Sequence, residues 1–144
     1  MRMDKPILFA EEMIRREQVH ELLVEACPTF SPDLSLEDNL YELLGEFGHH
    51  LLELYNRDQS TSFSKIGALT EKLHIEGDDF VKTAATIGFL ESLQNIWLNA
   101  SVDPSPFREF LPPVSRGQWD ALNEFWHGES DSKPSSEQGV DLNT

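Results

Sequence analysis

The stretch DDFVKTAATIGFLESLQNIWL, residues 78–98, carries apolar side chains on more than one side of a helix. Projected at about 100° per residue, these side chains fall on two opposite sides. One side holds Phe80, Ala84, Ile87 and Leu98, and the other holds Phe89, Leu93 and Ile96. Because a surface helix keeps one broad polar face, this distribution predicts a buried central helix with other helices packed around it.

Turn and capping signals on both sides of this stretch predict four more helices. Their expected ranges are about 6–26, 35–55, 62–77 and 115–127. The candidate N-terminal caps are Ser35 (in a capping box with Asp38), Ser62 and Ser115. Gly77 suits the left-handed conformation that ends many helices, and Gly128 is expected to end the last helix.

Apolar stripes at helical spacing identify the expected core. The first helix presents Phe9, Met13, Arg16, His20, Leu23 and Cys27, and the second presents Leu36, Leu40, Leu43, Phe47, Leu51 and Leu54. The third presents Phe63, Ile66, Leu69 and Leu73, and the last presents Trp119, Leu122 and Trp126. No alternation typical of strands appears, so the fold class is all-α: a compact bundle of about five helices around the buried helix 78–98, with no sheet.

Length and charge limit what the chain can do. Its 144 residues suit one helical domain, expected over 1–128 and followed by a disordered polar tail over 129–144. The 26 acidic and 11 basic residues give a net charge of −15. Such a field repels nucleic acid and anionic lipid, so neither is an expected partner, and it attracts a basic protein. Solubility alone explains the same charge.

Two further features concern the cellular compartment. The first thirty residues hold no apolar run long enough for a signal peptide, and no segment is long and apolar enough to span a membrane. Cys27 is the only cysteine, which excludes an intrachain disulfide and a cysteine-based zinc site. We therefore expect a cytoplasmic protein that uses no cofactor.

Four of the five histidines follow a glutamate by three residues, the spacing with which di-iron bundles build a metal site. The pairs are Glu17–His20, Glu46–His49, Glu71–His74 and Glu124–His127. Metal ligands must point together into the bundle, whereas the projection turns Glu46 and His49 toward solvent. Solvated pairs are therefore favoured over a metal site, with His74 as a cationic ring near a helix C-terminus.

Motifs for catalysis are absent: there is no GxSxG, no cysteine with a plausible histidine partner and no glycine-rich phosphate loop. We therefore expect no enzyme activity. In the central helix, Glu91, Gln94 and Asn95 project among apolar neighbours. Because a carboxylate in such surroundings needs a partner, these residues predict a buried polar network that fixes helix packing, in preference to a ligand site.

Three segments resemble a known protein family: EACPTF at 25–30, LHIEGDDFVKTAATIGFLESLQN at 73–95 and FREFLPPVSRGQWDALNEFWHG at 107–128. That family comprises short bacterial proteins catalogued as a domain of unknown function, and the resemblance extends over roughly residues 17–128. It implies a compact helical domain. It brings no established active site that could be assigned to residues of this chain.

Together these features favour a non-catalytic protein-binding domain. Its most specific form is an immunity or antitoxin-type antagonist that neutralises a basic toxin, such as a nuclease, through its acidic surface. The expected partner-binding residues form the outer stripe of the second helix: Glu42, Glu46, His49 and Glu53. A solvated helix face explains the same stripe. Two alternatives stay open: a regulatory or adaptor module that binds a non-toxin protein, and a metal-binding helical bundle enzyme that uses the Glu-x-x-His pairs.

Overall fold

A computed structural model describes residues 13–32 and 39–132, with side chains described as far as residue 124. Its α-helices are α1 (Arg16–Ala26), α2 (Leu40–Asn56), α3 (Phe63–Glu76), α4 (Asp79–Thr83), α5 (Ser92–Asn99) and α6 (Pro113–Ser132). A π-helical segment, Ala84–Glu91, joins α4 to α5, and a 3₁₀ helix, Ser105–Phe110, precedes α6. Among these residues there is one isolated bridge and no strand, which confirms the all-α fold class. None of the described helices is both long enough and apolar enough to cross a membrane.

The predicted central helix is confirmed as a continuous helical segment over 79–99. Asp78 caps it, because its carboxylate accepts a hydrogen bond of 2.8 Å from a backbone N–H in the first turn. Helix α2 packs along this segment. At Gly88 a Cβ atom would lie 3.2 Å from side-chain atoms of both Leu44 and Tyr41. The missing side chain therefore lets α2 approach the middle of the central helix closely.

Burial of the central helix on all sides was expected, and this is wrong for one side. Phe80, Ile87 and Leu98 keep 38%, 41% and 59% of their surfaces exposed. In a uniform projection at about 100° per residue, Leu98 and Asn95 share one side of the helix with Phe80 and Ile87. All four are exposed, so this side of the central helix faces solvent. Phe80 precedes the segment, and its ring is partly covered by the guanidinium of Arg16, 4.3 Å from the ring centroid.

The first helix begins later than predicted. Ile14 is extended: its N–H donates to the Glu76 carbonyl and its own carbonyl accepts from the Asp78 N–H, both at 2.9 Å. This bridge ties the chain to the junction between α3 and α4, so the helix starts at Arg16, whose side chain is exposed. The predicted part over 6–12 lies outside the described residues. The buried residues of α1 are Val19, Leu23 and Ala26.

The core stripes predicted for the second and third helices are confirmed. Their buried members are Leu40, Leu43, Phe47, Leu51, Leu54, Phe63, Ile66, Leu69 and Leu73. Asn39 caps α2, because its side-chain oxygen accepts a hydrogen bond of 3.1 Å from the Glu42 N–H. The predicted capping box of Ser35 and Asp38 lies outside the described residues.

Two glycines do not act as predicted at helix ends. Gly77 follows α3 in an extended conformation (φ −71°, ψ 156°) and not in the left-handed region. A side chain does not fit at this position, because a Cβ atom would lie 2.6 Å from Cγ1 of Val81. Gly128 lies within α6, which continues to Ser132, since a glycine inside a helix costs only about 1 kcal/mol. The rest of the predicted tail, 133–144, lies outside the described residues.

Aromatic side chains fill the centre of the bundle. Phe107, from the 3₁₀ helix, is fully buried. Its ring centroid lies 5.5 to 6.2 Å from those of Phe63, Phe89, Trp97 and Trp119. These rings come from α3, the central helix and α6, so one apolar cluster joins the 3₁₀ helix to these three elements.

Candidate functional site

The outer face of α2 carries the residues predicted to bind a partner. Glu42, Glu46, His49 and Glu53 are all exposed, as the amphipathic pattern predicted. They project from a helix whose opposite face is buried against the core, so their backbone is rigidly held. Within the described part of the chain, none of the three carboxylates forms an ion pair. Their negative charge is therefore available to a partner.

The loop after α1 lies beside this face and forms an open groove with it, which we call the acidic groove. Its volume is about 520 Å³. The loop contributes Thr29, Phe30, Ser31 and Pro32, and α2 contributes Glu46, His49, His50 and Glu53. Three of the four predicted partner-binding residues thus line one concave surface, while Glu42 lies on the same helix outside it.

His50 is a groove residue that sequence reasoning missed. Its Nε2 atom lies 2.9 Å from the hydroxyl oxygen of Thr29, which links α2 to the loop. Partial burial lowers the pKa of His50 below its ordinary value of 6.5; Arg57 acts in the same direction and Glu53 opposes it. The ring is therefore neutral near pH 7. In the sequence, Pro28 and Pro32 predict a break after the first helix, but they do not indicate where the loop lies relative to α2.

The chemistry of the groove suits a long basic side chain. Two carboxylates, those of Glu46 and Glu53, offer acceptors for a guanidinium or ammonium group. Half-buried Pro32 offers apolar surface for the aliphatic stem of such a side chain, while Phe30 lines the groove with only 5% of its own surface exposed. No lysine or arginine lines the groove, and burial lowers the pKa of His50, which disfavours its cationic form.

The second Glu-x-x-His pair of interest, Glu71–His74, does not lie in solvent as expected. His74 is 8% exposed and takes part in hydrogen bonds to two other elements. Its Nδ1 atom lies 2.8 Å from Oγ of Ser115 in α6, and its Nε2 atom lies 2.9 Å from Oγ1 of Thr86 in the π-helical segment. The prediction of a solvated, cationic His74 is therefore wrong, because α6 and the central helix close over the end of α3.

Glu71 also has a structural role that sequence reasoning missed. Its two carboxylate oxygens accept hydrogen bonds from the backbone N–H groups of Val114 and Ser115, at 3.0 and 2.8 Å. Partial burial raises the pKa of Glu71, but the two backbone hydrogen bonds, together with the Ser115 side chain and His74, lower it below its ordinary value of 4.5. Glu71 thus caps the first turn of α6 from a neighbouring helix.

Neither described serine that was predicted as an N-terminal cap acts as one. Ser62 precedes α3 without a capping hydrogen bond from its side chain. Ser115 lies within α6, which begins at Pro113, and its hydroxyl faces His74 in the interior. Because Glu71 caps this helix through the tertiary fold, a local cap was not needed at Ser115.

His74 belongs to a chain of polar side chains. Burial lowers the pKa of His74 below its ordinary value of 6.5, so its neutral form is favoured, with one donor and one acceptor nitrogen. The Thr86 hydroxyl, which contacts Nε2 of His74, donates to Oε1 of Gln118 at 3.3 Å. Hydrogen bonds thus link Ser115, His74, Thr86 and Gln118 in one continuous polar chain.

The predicted polar residues of the central helix are placed apart. Gln94 is buried, Glu91 is half-buried and Asn95 is exposed. Within the described residues no hydrogen bond joins these three, and Nε2 of Gln94 has no partner. Arg15 and Arg108, two cations that could have paired with Glu91, pair instead with Glu17 and Asp120. Asn95 is corrected to a surface position, because the side of the central helix that it shares with Phe80 and Ile87 faces solvent.

Metal binding was not expected, and the described residues contain no group of three or more His, Cys, Asp or Glu side chains that could hold an ion. The pairs Glu46–His49 and Glu71–His74 lie on different faces of the bundle. Glu46 and His49 line the acidic groove, whereas Glu71 and His74 form hydrogen bonds with α6 and the π-helical segment.

Comparison with known proteins identifies the family. The family model described as "Domain of unknown function (DUF7674)" matches residues 20–127. This match covers most of the chain, so the protein belongs to that family, and the resemblance seen in the three sequence segments is confirmed. No curated protein and no solved structure matches the chain.

Proposed function

We propose that the protein is a non-catalytic protein-binding domain that receives a basic segment of its partner in the acidic groove. The observation that carries this proposal is the shape of the α2 outer face. Glu46, His49 and Glu53 line a concave surface together with Phe30 and Pro32. A flat solvated helix face would offer charge alone, whereas a groove offers charge, apolar surface and a defined position for one side chain.

The more specific form of the proposal concerns the kind of partner. A net charge of −15 attracts basic proteins over a distance comparable to the Debye length, about 8 to 10 Å at physiological salt. A basic toxin such as a nuclease presents a positive active-site cleft, and an acidic domain that covers this cleft blocks its substrate. The protein is accordingly proposed as an immunity or antitoxin-type antagonist that acts in the cytoplasm.

The test compares two charge-reversal variants that change net charge equally. In the first, Glu46→Lys and Glu53→Lys place two cations in the groove. In the second, Glu21→Lys and Glu124→Lys make the same change at exposed sites on α1 and α6. Each is used with the wild type to capture partners from lysate, and association rates are then measured with the captured protein at low and high salt.

If the proposal is right, the captured protein is basic and the groove variant lowers its association rate about tenfold or more at low salt. The matched variant lowers the rate less, by the loss of overall charge alone, and high salt reduces the difference. Equal effects of the two variants would show that the groove is not the contact surface. A partner that stays bound through high salt and ignores the groove variant would favour a regulatory or adaptor module instead.

A further inference from the structure

A second open pocket lies beside His74, where α3, the central helix and the start of α6 meet. Its volume is about 370 Å³, near the lower end of the range of about 300–1,000 Å³ that small-molecule pockets occupy. Besides His74 it is lined by Lys82, Thr83, Thr86, Ile87, Val114 and Gln118. None of these residues lines the acidic groove, so the pocket is a separate site.

The pocket differs from the rest of the protein in charge. The chain has 26 acidic and 11 basic residues, yet no carboxylate lines this pocket and one ammonium, that of Lys82, does. Lys82 forms no ion pair with any carboxylate in the described ranges. Glu71, the acidic residue beside His74, keeps its charge but directs both carboxylate oxygens to backbone N–H groups of α6 and does not line the pocket. The lining itself therefore carries one positive and no negative side chain, which favours an anion there.

The hydrogen-bonding capacity of the lining also favours a ligand rich in acceptors. Because Thr86 donates to Oε1 of Gln118, the amide nitrogen of Gln118 keeps its two N–H donors for a ligand. Thr83 adds an exposed hydroxyl, and Lys82 adds up to three N–H donors. The acceptor atoms of His74 and Thr86 are already engaged in the polar chain to Ser115.

Apolar surface at the rim defines the other part of the ligand. Ile87 and Val114 are 41% and 44% exposed, and both line the pocket. A short aliphatic group placed against them removes apolar surface from water, which favours binding. Ile87 and Thr86 also belong to the π-helical segment, a conformation that is frequent at functional sites in proteins.

We propose that this pocket binds a small carboxylate with a short branched aliphatic group. Lys82, Thr83 and Gln118 hold the carboxylate, and Ile87 and Val114 contact the aliphatic part. The proposal rests on the lining of this pocket alone and does not depend on binding of a basic partner at the acidic groove.

The test uses the full chain, isotopically labelled, titrated with isovalerate and followed by nuclear magnetic resonance. Isovaleramide has the same shape without the charge, and inorganic phosphate has the charge without the aliphatic group. Lys82→Met removes the proposed counter-ion, while Lys65→Met removes an exposed lysine from α3 that does not line the pocket. Both variants change exposed side chains, and their spectra report directly whether the fold is kept.

Saturable shifts confined to residues 82–87 and 114–118 are expected with isovalerate. Isovaleramide should bind more weakly, and Lys82→Met should weaken isovalerate binding about tenfold, because hydrogen bonds to charged groups contribute about 1.5 to 3 kcal/mol. Lys65→Met should leave it unchanged. Isovaleramide binding as tightly as isovalerate, phosphate binding more tightly, equal effects of the two lysine variants, or no saturable shift would each overturn the proposal.

Discussion

The pairs Glu46–His49 on α2 and Glu71–His74 on α3 have the same spacing within a helix, but their surroundings are opposite. Glu46 and His49 are exposed and line an open groove. His74 is buried between three elements, and Glu71 caps a helix other than its own. The i,i+3 spacing places two side chains on one face of a helix and determines nothing about what packs on that face.

The difference arises from what covers each helix. Among the described residues, the outer face of α2 meets Thr29–Pro32 of the loop after α1, and its charged side chains stay in contact with water. At the C-terminal end of α3, the start of α6 presents N–H groups that have no partner within their own helix. Glu71 accepts from two of them, and the approach of α6 encloses His74. A pair exposed in an open groove and a pair used in packing can thus share one sequence pattern.

The largest expected effect separates the two histidines. His74→Ala removes the link between Ser115 and Thr86 and leaves the buried hydroxyl of Ser115 and the half-buried hydroxyl of Thr86 without this partner, so we expect a loss of about 2 kcal/mol in the free energy of unfolding. His49→Ala, at an exposed site, should change it by no more than about 0.5 kcal/mol. Urea denaturation of both variants measures this, and similar losses would remove the distinction drawn between the pairs.

A smaller effect is expected for the two glutamates. Glu71→Gln keeps one acceptor oxygen but removes the negative charge at the start of α6, which should cost about 1 kcal/mol of folding stability. The matched change Glu46→Gln removes the same charge from the groove and should be neutral to within about 0.5 kcal/mol. Thermal unfolding of the two variants at one pH provides the measurement. A larger loss for Glu46→Gln would contradict the assignment of Glu71 as the cap.

The smallest expected effect is on the pH dependence of stability. Burial lowers the pKa of His74 below 6.5 in the folded protein. It also lowers the pKa of His50, which is less completely buried. As the pH falls through 6.5, the unfolded chain therefore binds more protons than the folded one, and the free energy of unfolding decreases. This contribution to stability is fully present above pH 6.5 and is lost below it.

Denaturation of the wild type at a series of pH values between 7.5 and 5.5 should show this decrease. His74→Gln should make the slope shallower, and adding His50→Gln should make it shallower again, because each removes a group with a lowered pKa. An unchanged slope in the double variant would show that other groups titrate in this range. It would also remove the argument that His74 is held neutral between α3 and α6.

Several parts of the fold were predictable because one local pattern decided them. The α2 stripe from Leu40 to Leu54 is apolar every three or four residues, and burying it against the central helix is the stable arrangement. The exposed positions of Glu42 and Glu53 follow from the same periodicity. The helical character of 79–99 was also clear from the sequence, but its π-helical turns were not, because a change of hydrogen-bond register leaves no regular spacing of side chains.

The acidic groove and the surroundings of His74 also differ in how much of each the sequence predicted. The charged side chains of the acidic groove were predicted from the sequence, while its concave shape was not, because Phe30 and Pro32 reach α2 only through the path of the loop. Nothing in the spacing around His74 indicated that Ser115, 41 residues later, would be its hydrogen-bond partner. The pocket beside Lys82 was missed for the same reason, since its lining comes from three separate parts of the chain.

The sequence by itself determined the all-α class, the faces of the amphipathic helices, the negative charge and the family. Each of these depends on residues close together in the chain or on composition, and helical periodicity expresses them directly. Only the tertiary structure decided which of two equally spaced Glu-x-x-His pairs is buried, which side of the central helix faces solvent, and where concave surfaces form. These depend on contacts between helices distant in sequence, and their free energies are set by packing and desolvation at the meeting of elements.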